Sequence, residues 1–238
     1  MRPCGKVVMA LPGIGEKIAF LSRPEAYPGG PPCVETRQTH MSWVFLTDTH
    51  AWKLKKPVRY DHLDFSTPEA RRRNCEREVR LNRRLARDVY LGVVPLSVDG
   101  SGRLVLAGQG RPVDWLVWMR RLPEDRMLDR LIVRHAALEE DILKLASVLA
   151  AFYKNAPPVH LTGRQYRTRL AAHLEAVRTE LSKTRYGLSA DLVESVVNAQ
   201  LDFLQRNFGL FDGRAQSGKI IDAHGDLRPE HTAWSRSP

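Results

Sequence analysis

The order of predicted secondary structure along this chain limits its fold more than any single motif does. Strands dominate the first half and helices the second, with one helix at about residues 68–87 between two strand hairpins. The strands are predicted at residues 42–48, 51–56, 93–98, 103–107 and 115–119. Strands with one helix, followed by a helical bundle, indicate an α+β fold, because a doubly wound sheet requires strands and helices to alternate throughout.

Helical spacing of apolar residues governs the second half of the chain. The helices are predicted at residues 125–134, 138–154, 163–183 and 189–208. Gly209 is expected to end the last of them. Near the N-terminus, the Pro- and Gly-rich residues 27–32 indicate a linker after a short helix. The expected parts are an N-terminal helix with its linker (1–32), a strand-rich lobe (33–121) and a helical lobe (122–238).

The predicted helix at residues 68–87 carries one acidic side chain within its apolar stripe. At about 100° per residue, the apolar side chains fall on one face and a row of arginines on another. The two sets are Cys75, Val79, Leu81, Leu85 and Ala86, and Arg73, Arg77, Arg80, Arg84 and Arg87. Glu78 lies at about 300° from Cys75, inside the apolar stripe. Because a buried, unpaired carboxylate is costly, Glu78 predicts a cationic partner from another element. The alternative is a carboxylate at the edge of the stripe that reaches solvent.

The strand at residues 51–56 supplies candidate partners for Glu78. Period-two alternation puts Lys53 and Lys55 on the same face of this strand. Lys53 is the first choice, because residues 51–53 match the Ala-x-Lys of the kinase strand whose lysine contacts nucleotide phosphates and pairs with a helix Glu. Lys55 is the second choice. The alternative for both is a solvated, lysine-rich strand end.

A short motif late in the sequence is typical of phosphoryl transfer. His224-Gly225-Asp226-Leu227 follows the apolar pair Ile220-Ile221, as in the catalytic loop of a phosphotransferase. The Asp of such a loop accepts the proton of the attacking hydroxyl, so Asp226 is the candidate base and His224 braces the loop. The residue five positions after that Asp holds a metal ion in kinases, and here it is His231 rather than Asn. The alternative is a capped turn, since His, Gly and Asp are ordinary turn residues.

Short segments spread along the chain carry a family resemblance in combination. They are THMSWVFL (39–46), KLKKPV (53–58), LDFS (63–66), LNRRL (81–85) and HGDLRPEH (224–231). Together they resemble the aminoglycoside-phosphotransferase-like (kinase-like) proteins of bacteria, in the branch often fused to a P-loop ATPase domain. The resemblance runs from about Ile14 to His231, and the branch shares His at the position of the metal-holding Asn. It implies a two-lobed protein-kinase-like fold, with an antiparallel-sheet N-lobe and a helical C-lobe, that binds ATP and Mg²⁺.

The resemblance also implies roles for individual residues. Lys53 and Glu78 would clamp the nucleotide, and the turn at residues 39–43 would cover its phosphates, with the Ser42 hydroxyl and nearby backbone N–H groups as donors. Asp226 would serve as base while the γ-phosphate is transferred to a hydroxyl of an unspecified small molecule or protein.

The end of the sequence departs from the kinase pattern. Kinase-like enzymes hold the catalytic metal with a second Asp on the strand after the catalytic loop. After Asp226 the sequence contains one acidic residue, Glu230. We therefore expect a truncated chain with an incomplete helical lobe, whose apolar helix faces would be exposed to water.

Charge and cysteine content limit the partners. The formal net charge of +10 favours anionic partners such as nucleotide phosphates, and disfavours polycationic aminoglycosides as substrates. Cys4, Cys33 and Cys75 have neither disulfide nor metal spacing, which makes the cytoplasm the expected compartment. No apolar run approaches membrane-spanning length, so no membrane partner is expected.

Two other functions fit the sequence. A non-catalytic nucleotide-binding or regulatory module is consistent with His231 and with the missing metal Asp, and predicts nucleotide binding without turnover. A basic nucleic-acid-binding protein is suggested by the charge of +10 and the arginine face of the helix, and predicts a steep loss of affinity with salt. The lack of aromatic residues among those arginines counts against nucleic acid.

Overall fold

The chain divides into two compact units. The computed structural model of the protein describes residues 11–60 and 63–234. Within them, the first unit comprises residues 11–60, 63–135 and 229–234, and the second comprises residues 136–228. The first unit contains an antiparallel sheet and the second consists of helices, which confirms the predicted α+β class. The second unit begins after residue 135, later than the expected boundary at residue 121, and residues 229–234 belong again to the first.

A six-stranded antiparallel sheet forms the centre of the first unit. The strands of the unit are β1 (Glu35–Gln38), β2 (Ser42–Leu46), β3 (His50–Lys55), β4 (Arg59–Tyr60), β5 (Leu63–Asp64), β6 (Tyr90–Val98), β7 (Leu104–Leu106) and β8 (Arg111–Arg120). The order across the large sheet is β1-β2-β3-β8-β6-β7, and β4 pairs with β5 separately. The predicted hairpins are confirmed as β2–β3 and β6–β7.

Two strands begin earlier than the sequence predicts. Strand β6 starts at Tyr90 rather than residue 93, and β8 starts at Arg111 rather than residue 115. Pro112 and Asp114 are poor strand formers, which hides this part of β8 from a propensity-based prediction. Pairing of β8 with β6 overrides that preference.

Apolar cores lie on both faces of the large sheet. On one face, Leu21 of helix α1 (Ile14–Leu21) packs with Phe45, Trp52, Leu54 and Leu116. On the other face, Cys75 and Val79 of helix α2 (Pro68–Asn82) pack against Val117 of β8. The buried Tyr27, at the start of the predicted linker, donates from its hydroxyl to the carbonyl of Leu21 at 2.5 Å. Helix α1 therefore belongs to the same unit as the sheet.

Helix α2 is shorter than predicted. It begins after the N-cap Thr67, whose hydroxyl accepts from the Ala70 N–H at 3.1 Å, and ends at Asn82 rather than at residue 87. The Arg83 guanidinium donates to the carbonyls of Tyr90 and Leu91, at 2.7 and 2.5 Å. Those bonds draw the chain back towards the start of β6, so the apolar residues after Asn82 continue in turns instead of helix.

Helices account for most of the remaining chain. Helix α3 (Leu128–Val133) belongs to the first unit, and α4 (Glu139–Asn155), α5 (Gly163–Leu181), α6 (Ala190–Arg206) and α7 (Phe208–Gln216) belong to the second. Gly209 does not end α6, because it lies inside α7. The break falls at Asn207, which has φ −106° and ψ 31° and donates from its side-chain amide to the Phe203 carbonyl at 3.0 Å. Asn competes for backbone hydrogen bonds near helix ends, and here it supplies the stop.

The second unit exposes several apolar side chains. On α4, Leu143 and Val148 are more than half exposed, and the same holds for Leu192 on α6 and Leu210 on α7. Helix α4 contains no buried residue. In residues 11–60 and 63–234, no helix has the length and apolar character needed to cross a membrane.

Candidate functional site

Strand β3 and helix α2 bring together three of the predicted site residues. The sheet register pairs Lys53 with Val44 of β2 and with Val117 of β8, which places these side chains on one face. Val117 packs against Cys75 and Val79 of α2 on that face. The lysines of β3 therefore point to the same side of the sheet as the helix that carries Glu78.

Glu78 forms ion pairs with both candidate lysines. Lys53 Nζ lies 2.9 Å from Glu78 Oε1, and Lys55 Nζ lies 2.5 Å from Glu78 Oε2. The exposed fractions of the three side chains are 29% for Lys53, 6% for Lys55 and 14% for Glu78. The sequence ranked Lys53 above Lys55, whereas the structure gives each lysine its own carboxylate oxygen. One carboxylate and two ammonium groups leave an excess of one positive charge.

The electrostatics of the cluster keep Glu78 ionised. Burial by itself would raise the pKa of Glu78, but the charges and hydrogen bonds of Lys53 and Lys55 outweigh it and hold the pKa below its ordinary value of 4.5. Burial and the nearby Glu78 charge raise the pKa of Tyr90 to about 12. Burial likewise raises the pKa of the Cys75 thiol to about 12. Neither group is an acid–base candidate at neutral pH, so the charges that matter are those of Glu78 and its lysines.

A second buried ion cluster was not predicted from the sequence. The Arg71 guanidinium binds Asp114 through two hydrogen bonds of 2.7 Å, and Lys17 Nζ lies 2.8 Å from Asp114 Oδ2. Asp114 is completely buried, and both cations are nearly so. Arg71 lies on the same face of α2 as Glu78, at about 320° from Cys75, so the calculation that singled out Glu78 also identifies Arg71.

The second cluster joins three elements at one carboxylate. In the β6–β8 register, Leu96 pairs with Asp114 and Ser97 with Pro112, so Val113 is the additional residue of a bulge. Lys17 of α1 also donates to the Val113 carbonyl, at 2.8 Å. Because Arg71 is seven residues before Glu78 on α2, this cluster fixes the helix about two turns away from the lysines of β3.

The turn between β1 and β2 was predicted to bind phosphate. Two of its backbone N–H groups are already used, because Thr39 N donates to the Ser42 carbonyl at 2.8 Å and Ser42 N donates to Thr39 Oγ1 at 3.0 Å. The Ser42 hydroxyl is buried and makes no hydrogen bond with the part of the chain that the structure describes. Ser42 is the register partner of Lys55, so its side chain lies on the lysine face of the sheet.

The predicted catalytic loop lies in the second unit. Ile221, of the apolar pair before the loop, forms a single β-bridge with Pro158, and Gly225 has φ +79°, which a residue with a side chain rarely adopts. The Asp226 N–H donates to His224 Nδ1 at 3.3 Å, so His224 contacts the loop backbone. Arg228 Nε lies 3.3 Å from Asp226 Oδ1, and both side chains are mostly exposed.

His231 was the candidate metal ligand. It ends a 3₁₀ turn, Pro229–His231, that belongs to the first unit, next to a hydrogen bond of 2.9 Å from Leu128 N to the Thr232 carbonyl. Within the described ranges, no group of three His, Cys, Asp or Glu side chains is placed to hold a metal ion. Magnesium prefers oxygen ligands in octahedral geometry. These residues therefore do not fit a magnesium ion held by the protein alone.

The comparisons with known proteins identify relatives without a known activity. The chain is 34% identical over 201 residues to an uncharacterized protein of Mycobacterium tuberculosis and to one of Mycobacterium bovis. Each match covers 82% of this chain and 38% of the relative, so the chain spans about two fifths of the length of these proteins. No protein-family model matches the chain, and no solved structure matches it.

Proposed function

We propose that this chain is part of an ATP-dependent phosphotransferase of the aminoglycoside-phosphotransferase-like, kinase-like type, and that its first unit binds the nucleotide. The observation that carries the proposal is the shared ion pair, in which Glu78 of α2 binds both Lys53 and Lys55 of β3. A strand lysine paired with a helix glutamate is the arrangement with which kinases hold the α- and β-phosphates of ATP.

The charge of this cluster suits a polyphosphate. Two ammonium groups face one carboxylate, and Lys53, the more exposed lysine, keeps 29% of its side chain accessible. Hydrogen bonds between an ammonium group and a phosphate are charge-assisted and strong, particularly where water is partly excluded. The formal net charge of +10 also favours the approach of an anionic ligand.

The proposed reaction transfers the γ-phosphoryl group of ATP to an alcohol. The acceptor oxygen attacks the γ-phosphorus while its proton passes to the Asp226 carboxylate, and the bond between the γ-phosphorus and the β,γ-bridging oxygen breaks to release ADP. His224 holds the backbone of the Asp226 loop through the hydrogen bond to the Asp226 N–H. The Mg²⁺ ion of this reaction would be brought to the site by ATP, to which it is bound in solution.

A non-catalytic nucleotide-binding module is the second candidate. It is favoured by the contact of 3.3 Å between Arg228 Nε and Asp226 Oδ1, because this contact occupies an oxygen that would have to accept the proton of the acceptor hydroxyl. It is favoured also by the lack of a metal-holding group within residues 11–60 and 63–234. In this case the Lys53–Lys55–Glu78 cluster would bind ATP without turnover.

The proposed nucleotide site is tested by titrating Mg·ATP into the wild type and into Lys53→Met. We expect Lys53→Met to weaken binding roughly ten- to a hundredfold, which is the value of a lost charge-assisted hydrogen bond of about 1.5–3 kcal/mol. Lys144→Met is the control, because Lys144 is an exposed lysine of α4 that pairs with Glu140 and Asp141 and has no role in the proposed site. Its affinity should change by no more than about twofold. Equal losses in both variants, or a wild type that binds no Mg·ATP, would refute the site.

A further inference from the structure

The two lysines that share Glu78 have different surroundings. Lys55 is 6% exposed, and its Nζ lies 5.2 Å from the ring centre of the buried Phe65. Lys53 is 29% exposed. The ammonium group of Lys55 is therefore confined between Glu78 and an aromatic ring, whereas that of Lys53 lies closer to solvent.

Because two lysines share Glu78, one of them can move to a phosphate while the other still neutralises the carboxylate. If a single lysine served Glu78, its movement to a phosphate would leave a largely buried carboxylate without a counter-charge, which is strongly unfavourable. Here each lysine contacts a different oxygen, Oε1 or Oε2, so one contact can break while the other remains. The lysine that leaves is expected to be Lys53, because its side chain is the less enclosed of the two.

We infer that Lys55 is a positioning residue that holds and neutralises Glu78, so that Lys53 is released to bind the phosphates of the nucleotide. This inference rests on the proposed function and assigns separate tasks to two residues of the same site. Lys55 touches Glu78 rather than the ligand, and Lys53 is the residue in contact with phosphate.

The net charge of the cluster predicts which variants free Lys53 from Glu78 and which do not. The wild-type cluster carries one excess positive charge, from Lys53, Lys55 and Glu78. Lys55→Met reduces this to zero and leaves Lys53 as the remaining partner of Glu78 within the cluster, so Lys53 stays bound to the carboxylate. Adding Glu78→Gln to Lys55→Met restores the excess charge and frees Lys53.

The test is a titration of Mg·ATP into these variants. We expect Lys55→Met to bind about tenfold more weakly than the wild type, the value of one charge-assisted contact. The double variant Lys55→Met/Glu78→Gln should regain most of the lost affinity, whereas Lys53→Met/Glu78→Gln should remain as weak as Lys53→Met. If Lys55 itself contacts phosphate, removing the charge of Glu78 will not restore the affinity lost in Lys55→Met. A double variant Lys55→Met/Glu78→Gln that binds Mg·ATP as weakly as Lys55→Met would therefore overturn the assignment.

Two controls separate this inference from the proposed function and from misfolding. Lys55→Arg keeps the charge that holds Glu78, so we expect it to bind Mg·ATP more tightly than Lys55→Met does; a loss as large as that of Lys53→Met overturns the inference alone. Thermal unfolding without nucleotide should show a larger loss of stability for Lys55→Met than for Lys53→Met, and the reverse order also overturns it. A wild type that binds no Mg·ATP refutes the proposed function, whatever the stability ranking.

Discussion

Replacing Asp114 by Asn is expected to lower the free energy of unfolding by about 3–5 kcal/mol, the cost of leaving a buried charge without its partner. Arg71 and Lys17 both bind this carboxylate, and all three side chains are buried. Asn fills nearly the same volume, but it carries no charge and offers one acceptor oxygen instead of two. The effect is large because two cations lose their counter-ion in the same place.

Urea unfolding followed by circular dichroism measures the effect of Asp114→Asn. Glu76→Gln is the matched control on α2, because Glu76 pairs with Arg72 at 2.8 Å on an exposed surface. Its effect should stay within about 0.5 kcal/mol. Adding Arg71→Met to Asp114→Asn should recover part of the lost stability, because it removes one of the unpaired cations. If Asp114→Asn were no more destabilising than Glu76→Gln, Asp114 would not be the charge centre that joins α1, α2 and β8.

The largest expected effect on activity is that of Asp226→Asn, which should lower the rate of phosphoryl transfer about 10²- to 10⁴-fold. Asn has nearly the shape of Asp and cannot accept the proton of the attacking hydroxyl. The affinity for Mg·ATP should change by no more than about twofold, because the lysine cluster is intact. The rate is measured with γ-labelled ATP, as labelled phosphate when water is the acceptor and as labelled glycerol phosphate when glycerol is the acceptor.

Asp222→Asn is the control for the Asp226 experiment. Asp222 lies four residues earlier in the same segment and has no role in the proposed reaction, so the turnover of this variant should match the wild type. An unchanged rate in Asp226→Asn would show that another group accepts the proton. A wild type that binds Mg·ATP but neither hydrolyses it nor transfers phosphate would favour the non-catalytic module.

The ion pair at Glu78 was predictable because its causes are local. The helical periodicity of α2 placed Glu78 in an apolar stripe, and the alternation of β3 placed Lys53 and Lys55 on one face. Those two periodicities and the cost of an unpaired buried carboxylate named the three residues only together with the kinase Ala-x-Lys pattern at residues 51–53. The sequence could not show that both lysines bind Glu78, because their distances depend on how α2 packs against the sheet.

The second ion cluster was harder to predict because its members are far apart in the chain. Arg71 has the same helical signal as Glu78, but its partner Asp114 lies just before the predicted start of its strand, next to the bulged residue Val113. Lys17 is 97 residues from Asp114 in sequence. Only the pairing of β8 with β6 and the packing of α1 bring these groups together.

The ends of helices also differ in how far they could be predicted, because some are set by a neighbouring side chain and others by contacts with another element. Helices α4, α5 and α6 were predicted closely from apolar spacing, whereas α7 (Phe208–Gln216) was not predicted. The end of α6 was misplaced by Gly209, since the stop is made by the side chain of Asn207. The end of α2 depends on bonds from Arg83 to a strand that follows later in the chain. The helical periodicity of α2 contains no record of these bonds to the next strand.

The most direct test of nucleotide binding at the β3 lysines is to label the protein with an ATP analogue that carries an acyl phosphate on its terminal phosphate. The amine of a lysine that contacts the phosphates attacks the acyl carbonyl, forms an amide and releases ATP, and peptide mass spectrometry identifies the labelled residue. We expect Lys53 to be acylated and an excess of Mg·ATP to prevent it. Acylation confined to exposed lysines such as Lys144, or labelling of Lys53 that Mg·ATP does not suppress, would contradict the proposed site.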